Sequence, residues 1–434
     1  MPLIRSTLAY IALMAAILAL LPGMAALGAG AVSLAVILGW QDMRRVPKAV
    51  FIVAGLALVF ALGRDPSLIS SAAGNMSRLA GLILAVTLLS SILSRTSDLQ
   101  QISASLFGGN PSARYLSLSF GTSLVSIPLN FGSVAVVGTL VGERVRSSGD
   151  SPATRNATRA VLRGFGVSPT FSPLSISVVL TLTLLPGLSS LQLLFFTVPF
   201  SAALVLCGLI WREPETAQQT DTPESKAGLA PWLRFGALIL AICAGVFLLS
   251  HQYQLSYAHA VTLSCIGAVL GARLLAWSRK TNPPLVNMSN VSNELAIVGG
   301  SAFIGSVISG AVLGQIIGDP SVPNWLWPVM AACVPWAFFA AGLTGVNPIV
   351  IGTLAGGILG VIWPDNALIG LGVGMVTGWG ITAFGTPFAA NALIMERLTG
   401  YKAMDASFRW NLRLSLTGLL AASLLASMVT VVLV

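Results

Sequence analysis

Eight stretches of this chain are apolar almost throughout: Leu8–Leu21, Ala25–Trp40, Ala49–Leu62, Leu79–Leu93, Leu191–Ile210, Phe235–Leu249, Ala258–Ala276 and Leu414–Val434. Several approach or exceed the roughly 20 residues that carry a helix across a bilayer, and the shorter ones reach that length with flanking residues. Composition agrees. Of 434 residues, 55% are hydrophobic and 9% charged, where a soluble chain of this size carries about a quarter charged. The expectation is an all-α polytopic membrane protein, anchored in the lipid bilayer by about 11 transmembrane helices. Arg5, an apolar run and "GMAALGAG" resemble a leader sequence, but two apolar segments joined by a Pro-Gly turn read as a retained helical hairpin.

The net charge of +9 is explained by orientation rather than by nucleic acid, because the basic residues sit in short loops between spans. With Arg5 in the cytoplasm and the spans threaded alternately, 21 of the 23 Lys and Arg fall on the cytoplasmic side, leaving Arg64 and Arg78 outside. This places the protein in a bacterial-type inner (plasma) membrane, N-terminus cytoplasmic and C-terminus outside. Cys207, Cys243, Cys265 and Cys333 all lie in apolar segments without metal spacing and read as small buried hydrophobes.

The threading requires two apolar regions that do not cross. The first has basic flanks at Arg114 and Arg144 and breaks at Pro128-Leu-Asn-Phe-Gly132; it reads as a re-entrant hairpin over 114–145. The second, over 323–361, breaks at Gly342–Pro348 and enters from the other side. Non-helical backbone at this depth survives only when buried in protein or lining a wet cavity, so both tips are candidate sites. "RTSDLQQISASLF" places Leu99, Ile102 and Leu106 at helical spacing, an in-plane interfacial helix leading into the first hairpin. The chain then divides into a membrane hairpin and scaffold helix (1–68), a first repeat (69–211), a polar cytoplasmic linker (212–229), scaffold helices (230–285) and a second repeat (286–434).

"GFGVSPTFSP" (Gly164–Pro173) and "GWGITAFGTP" (Gly378–Pro387) share a pattern of glycines, hydroxyls and proline. A shift of 214 superimposes them, and without a gap also carries Gly138-Thr139-Leu140-Val141-Gly142 onto Gly352-Thr353-Leu354-Ala355-Gly356. An odd number of crossings separates the two hairpins, so the repeats are inverted. Each motif sits in a helix that cannot remain regular, the broken helices spanning 159–187 and 366–395. Inverted repeats with paired broken helices point to a secondary transporter with its substrate near the midplane. Free N–H groups and positive dipole ends hold an anion there, while free carbonyls hold Na⁺. The same shift pairs Asn130 with Thr344 and Ser133 with Asn347, so each tip carries one carboxamide and one hydroxyl.

These halves resemble the ion transporter superfamily, which includes divalent anion:sodium symporters, citrate carriers and the large membrane subunits of TRAP transporters. The resemblance runs over residues 70–211 and 290–434, through "GFGVSPTFSPLSISVVL", "LTGVNPIVIGTL", "FGTPFAAN" and "GYKAMDASFRWNL". In place of the symporters' Ser-Asn-Thr tip triplets stand Leu129-Asn130-Phe131 and Leu343-Thr344-Gly345. The resemblance implies a homodimer in which each protomer has one scaffold and one moving transport domain.

Catalysis finds no constellation here. His251 and His259 lie at the outer end of a span, Asp150, Asp221, Asp365 and Asp405 in loops, and Glu294 and Glu396 at span ends. Without an intramembrane carboxylate, cation–proton exchange ranks low; Na⁺ coupling through neutral oxygens does not need one. Neither is an intramembrane Arg or Lys visible, and Arg159 and Arg163 read as orientation-setting charges. The candidate substrate residues are Asn130, Gly132, Ser133, Ser168, Thr170, Ser172, Thr344, Gly345, Asn347, Thr382, Thr386, Pro387 and Asn391. Na⁺ ligands would come from Asn130, Ser133, Ser168, Thr344, Asn347 and Thr382, with no other cofactor. The expected function is secondary active transport of a small organic anion, a carboxylate, coupled to Na⁺; the alternatives are a TRAP-type large subunit and a passive anion channel.

Overall fold

The computed structural model describes residues 2–94, 96–215, 228–278, 280, 284–313 and 322–434, and among these residues it contains helices and no strand. Helices α1 (Pro2–Ile17) and α2 (Met24–Leu38) form a hairpin that turns at Gly23, whose φ of 80° suits glycine. Next come α3 (Arg45–Arg64), α4 (Ser67–Leu93), the short α5 (Ser97–Ser105), α6 (Pro111–Leu129), α7 (Phe131–Ser148), α8 (Pro152–Phe171), α9 (Ile176–Leu184) and α10 (Ser190–Gly208). After the linker come α11 (Leu229–His251), α12 (Tyr257–Ser278), α13 (Ser292–Leu313), α14 (Leu326–Leu343) and α15 (Pro348–Leu354). A π-turn leads from α15 into α16 (Gly360–Ile362), then come α17 (Leu368–Gly385), α18 (Ala390–Thr399) and α19 (Leu412–Leu433). Most of the linker, 216–227 with Asp221 and Lys226, lies outside the described residues, as do Arg95 and Arg279.

Ten spans among the described residues are long and apolar enough to cross a membrane, counting α8 with α9 and α17 with α18 as one each. The chain is therefore a multi-pass membrane protein. The expected number was about 11; α14 is among the ten, whereas α1 and α2 are apolar but only 16 and 15 residues long.

Burial separates an outer shell from a centre. α3 buries only Pro47, Ala54 and Ala61, and α11 exposes Leu233, Leu240 and Leu248 to what is lipid in a membrane. In α17, by contrast, every residue except Trp379 is buried. The stripe Leu99–Ile102–Leu106 around α5 is also fully buried within the protein. Its apolar spacing is the same whether lipid or protein covers it, and here protein does.

The glycines of the repeated motif explain how α8 and α17 share the centre. A Cβ built on Gly166 would lie 2.6 Å from the Cβ of Phe384, and one on Gly380 would lie 2.2 Å from the Thr170 methyl and 2.8 Å from the Gly166 carbonyl. Shifting by 214 turns Gly166 into Gly380 and Thr170 into Phe384, so each contact is the other with the halves exchanged. A second pair repeats this: Gly142 of α7 packs on Leu398 of α18, and Gly356 packs on Leu184 of α9, the same shift turning Gly142 into Gly356 and Leu184 into Leu398. Close approach through small residues is how helices associate where lipid removes the hydrophobic drive.

Two further ties join the halves at one end. Tyr401 donates to the Asp150 carboxylate at 2.8 Å and shares a hydrogen bond with the Thr154 hydroxyl, while Arg155 pairs with Asp150 through two nitrogens. Glu213 and Glu215, at the start of the linker, dock onto α6 and α8. Arg159 reaches Glu213 at 2.6 Å, Asn156 reaches Glu215 at 2.7 Å, and Arg114 pairs with Glu215.

Gly166→Ala and Gly380→Ala are each expected to lower unfolding stability by about 1–3 kcal/mol, the usual cost of overpacking. Gly74→Ala, in α4 with nothing within 4 Å of the new methyl, should be neutral or slightly stabilising; thermal unfolding of the three variants checks this. Hydrogen bonds from Arg155 and then Tyr401 hold the Asp150 carboxyl below its ordinary range, so its contribution is complete above the unfolded pKa of about 4 and fades as pH falls through the folded value. Asp150→Asn should cost about 0.5 kcal/mol at pH 7, as for an exposed ion pair, and melting curves should show that difference closing below about pH 4.

Candidate functional site

Four interruptions of the helical backbone converge. The first is a single residue, Asn130, between α6 and α7, with φ 49° and ψ −127°, a positive-φ conformation that favours glycine. Pro128 within α6 has no N–H to donate, which weakens the helix just before this turn. The turn is closed by Ser133, whose hydroxyl bonds the Asn130 carbonyl at 2.7 Å and the Ser126 hydroxyl at 2.6 Å. The second interruption, between α14 and α15, turns at Gly345 (φ 83°), and Asn347 caps α15 by accepting from the Ile349 N–H at 2.9 Å.

The other two are the helix breaks. After Pro169, α8 ends at Phe171, and the chain runs through Ser172 before α9 begins with Ser175 as its cap, accepting from the Val178 N–H. α17 ends at Gly385, and α18 restarts at Ala390 with no side-chain cap. The open carbonyls there have partners. Ser407 donates to both Phe384 O and Thr386 O at 2.8 Å, and Asn391 donates to Ala383 O at 2.8 Å.

Between these interruptions lies a cavity of about 500 Å³. Eight of the thirteen candidate residues line it: Asn130, Ser168, Ser172, Gly345, Asn347, Thr382, Thr386 and Asn391. Five do not. Ser133 closes the first turn; Thr344 bonds the Ala341 carbonyl at 2.8 Å; Thr170 packs its methyl on Gly380 and bonds Val167 O and Ser201; Gly132 faces Ser90 of α4; and Pro387 lies in the break but outside the wall. Of the six candidate Na⁺ ligands, Asn130, Ser168, Asn347 and Thr382 reach the cavity.

The wall also contains residues that sequence reasoning missed. Arg44 and Arg45 at the start of α3, Asn293 and Glu294 at the start of α13, and Arg397 of α18 all line it. The Arg44 N–H donates to Asn293 at 3.0 Å, joining the two helix starts. Positive charge does therefore border the cavity, and so does one carboxylate. Loop position alone could not reveal this, because these residues become wall only when α3, α13 and α18 converge. Ser177, in the first turn of α9, is buried at the wall with its hydroxyl unpartnered.

Arg163 differs most from its reading as a loop charge. It is fully buried in α8 and donates to Asn411 at 2.7 Å, to Gly208 O at 2.7 Å and to the Tyr115 hydroxyl at 3.0 Å. Asn411 in turn faces the carbonyls of Ala406 and, at 3.5 Å, Phe384. His259 is likewise buried.

Comparison with known protein-family models and with curated proteins gives no match. Among solved structures, the Alcanivorax borkumensis YdaH transporter, reported to have an unusual topology, is similar over 92% of this chain and 98% of that one, at 14% identity and a TM-score of 0.44. The chemistry of the cavity is thus read from this chain's own residues.

Replacing Asn130 separates backbone from side chain. Asn130→Gly removes the carboxamide but keeps the turn, whereas Asn130→Ala removes the carboxamide and keeps a Cβ in dihedrals that favour glycine. Asn130→Ala should unfold about 1 kcal/mol more readily than Asn130→Gly, as measured by denaturation in detergent.

Proposed function

We propose that this chain is a secondary active transporter of a small organic anion, with a carboxylate as substrate and Na⁺ as the coupling ion. The observation that carries the reading is the convergence of two turns and two helix breaks on one cavity. Four backbone interruptions in one place are costly in a membrane, and a substrate that uses their free groups gives them a purpose. Asn130, Asn347 and the first-turn N–H groups of α9 and α18 would bind the anion. Neutral oxygens from Ser168, Thr382 and the tip carboxamides would suit Na⁺, without a buried acid.

On this reading the hairpins and broken helices move together against the scaffold in an elevator-type cycle, as the superfamily resemblance implies, in a homodimer of the inner membrane. The reciprocal glycine contacts favour a single moving body, since α7 rests on α18 and α9 on the arm after α15. Arg44, Arg45 and Arg397 mark the mouth that the loop-charge rule puts on the cytoplasmic side.

Purified protein is tested first by thermal stability across small carboxylates, in Na⁺ and in choline. A ligand held at 100 times its Kd adds about 2.7 kcal/mol to stability. The expected result is a carboxylate that raises the midpoint in Na⁺ only, and proteoliposomes that accumulate it under an inward Na⁺ gradient. Asn130→Gly and Asn347→Ala should each lower uptake at least tenfold. Equilibration without accumulation would replace the transporter by a channel. Absence of any carboxylate effect in either salt would sink the anion reading.

A further inference from the structure

The polar groups make up only part of the cavity wall. Each half also sets a phenyl ring at its interruptions, from a different position. Phe131 follows the tip residue Asn130 and is 41% exposed, while Phe388 lies in the second break and is 55% exposed; both line the cavity. Their counterparts under the 214 shift are Gly345 and Leu174. A Cβ on Gly345 would lie 3.6 Å from the ring of Phe388, so in the second half the break supplies the ring that the tip supplies in the first. The motif's own aromatics, Phe165 and Trp379, line the same space, and Phe165 stacks on Phe131 with ring centroids 5.2 Å apart.

Exposed rings on the wall of this cavity are surface that a ligand can cover, and covering it favours binding in proportion to area. The volume points the same way, since about 500 Å³ lies in the range of roughly 300–1,000 Å³ that holds drug-sized ligands. Charge, meanwhile, is unevenly shared between the halves. The charged wall residues Arg44, Arg45, Glu294 and Arg397 come from the starts of α3 and α13 and from α18, while α8 and α9 supply none and Thr183, the counterpart of Arg397 on α9, does not line the cavity. One anionic group and one apolar body fit this wall better than two carboxylates at opposite ends.

We propose that the substrate is an amphiphilic monocarboxylate whose apolar body is held against Phe131 and Phe388, an inference that rests on the transporter reading of the same cavity. Affinity should then follow body length. Each buried methylene is worth about fourfold in Kd.

The test is equilibrium binding to the full-length protein in nanodiscs, with butyrate, hexanoate, octanoate, succinate, suberate and octanamide as probes. Affinity should rise about fourfold per methylene from butyrate to octanoate. Suberate, as long as octanoate but charged at both ends, and octanamide, without charge, should each bind at least tenfold more weakly than octanoate. Phe131→Ser with Phe388→Ser should flatten the length dependence while unfolding at the wild-type temperature; if the pair does not fold, Phe388→Ser alone should halve the slope or more. A flat series, or succinate and suberate binding as tightly as octanoate, overturns the amphiphile and leaves the anion transporter standing. A slope that survives both serines is partition into lipid and also overturns it, as does equal binding of octanamide. No binding by any probe removes both readings.

Discussion

A backbone inside a bilayer has only itself and its neighbours for hydrogen bonds, and the centre of this molecule depends on how that demand is met at four interruptions. Side chains take over where the helices stop. Ser175 and Asn347 cap helix starts, Ser133 closes the first turn, and Ser407 bridges two carbonyls left open by the end of α17. Asn130, the unpartnered Ser177 hydroxyl and the uncapped start of α18 all border the cavity.

Arg163 meets most of the same demand with a charge, its Nε and Nη1 being partnered and its Nη2 having no hydrogen-bond partner among the described residues. A guanidinium removed from water needs its donors filled, and hydrogen bonds that involve a charged group are each worth about 1.5–3 kcal/mol. Its acceptors are a carboxamide, a phenol and a main-chain carbonyl, drawn from three separate parts of the chain. Because Asn411 also faces Phe384 O, the cation in the first broken helix orders the chain around the break in the second. Its long reach lets one side chain do what no short polar residue could, which is to fasten α6, α8, the end of α10 and the start of α19 at one point.

Much of this was legible in the sequence, for a definite reason. Proline, glycine and hydroxyl residues in the middle of an apolar run have few explanations, so Pro128–Gly132, Gly342–Pro348 and the two repeated motifs marked the interruptions directly. Facing was harder. Ser168 and Thr170 lie two residues apart on one helix, yet the first lines the cavity and the second locks the crossing with Gly380; helical phase at a break is set by the neighbour, which the local sequence does not contain. The arginines misled for a related reason. Counting loop charges treats Arg44, Arg163 and Arg397 alike, although one begins a helix at the cavity, one is sealed in the core, and one sits on the second half of a broken helix at the cavity wall. For α5, the buried stripe and a lipid-facing stripe have the same letters.

The reciprocal glycine contacts carry a historical implication. Gly142 packs on Leu398 and Gly356 on Leu184, so at these two places each half is matched by the other half. A half-length precursor of such a chain could close its contacts only by pairing with a second copy, interlocked head to tail about a twofold axis. Two copies joined in one polypeptide would no longer need to stay identical. Phe131 against Gly345, and Leu174 against Phe388, are places where the two halves of this chain differ in just that way.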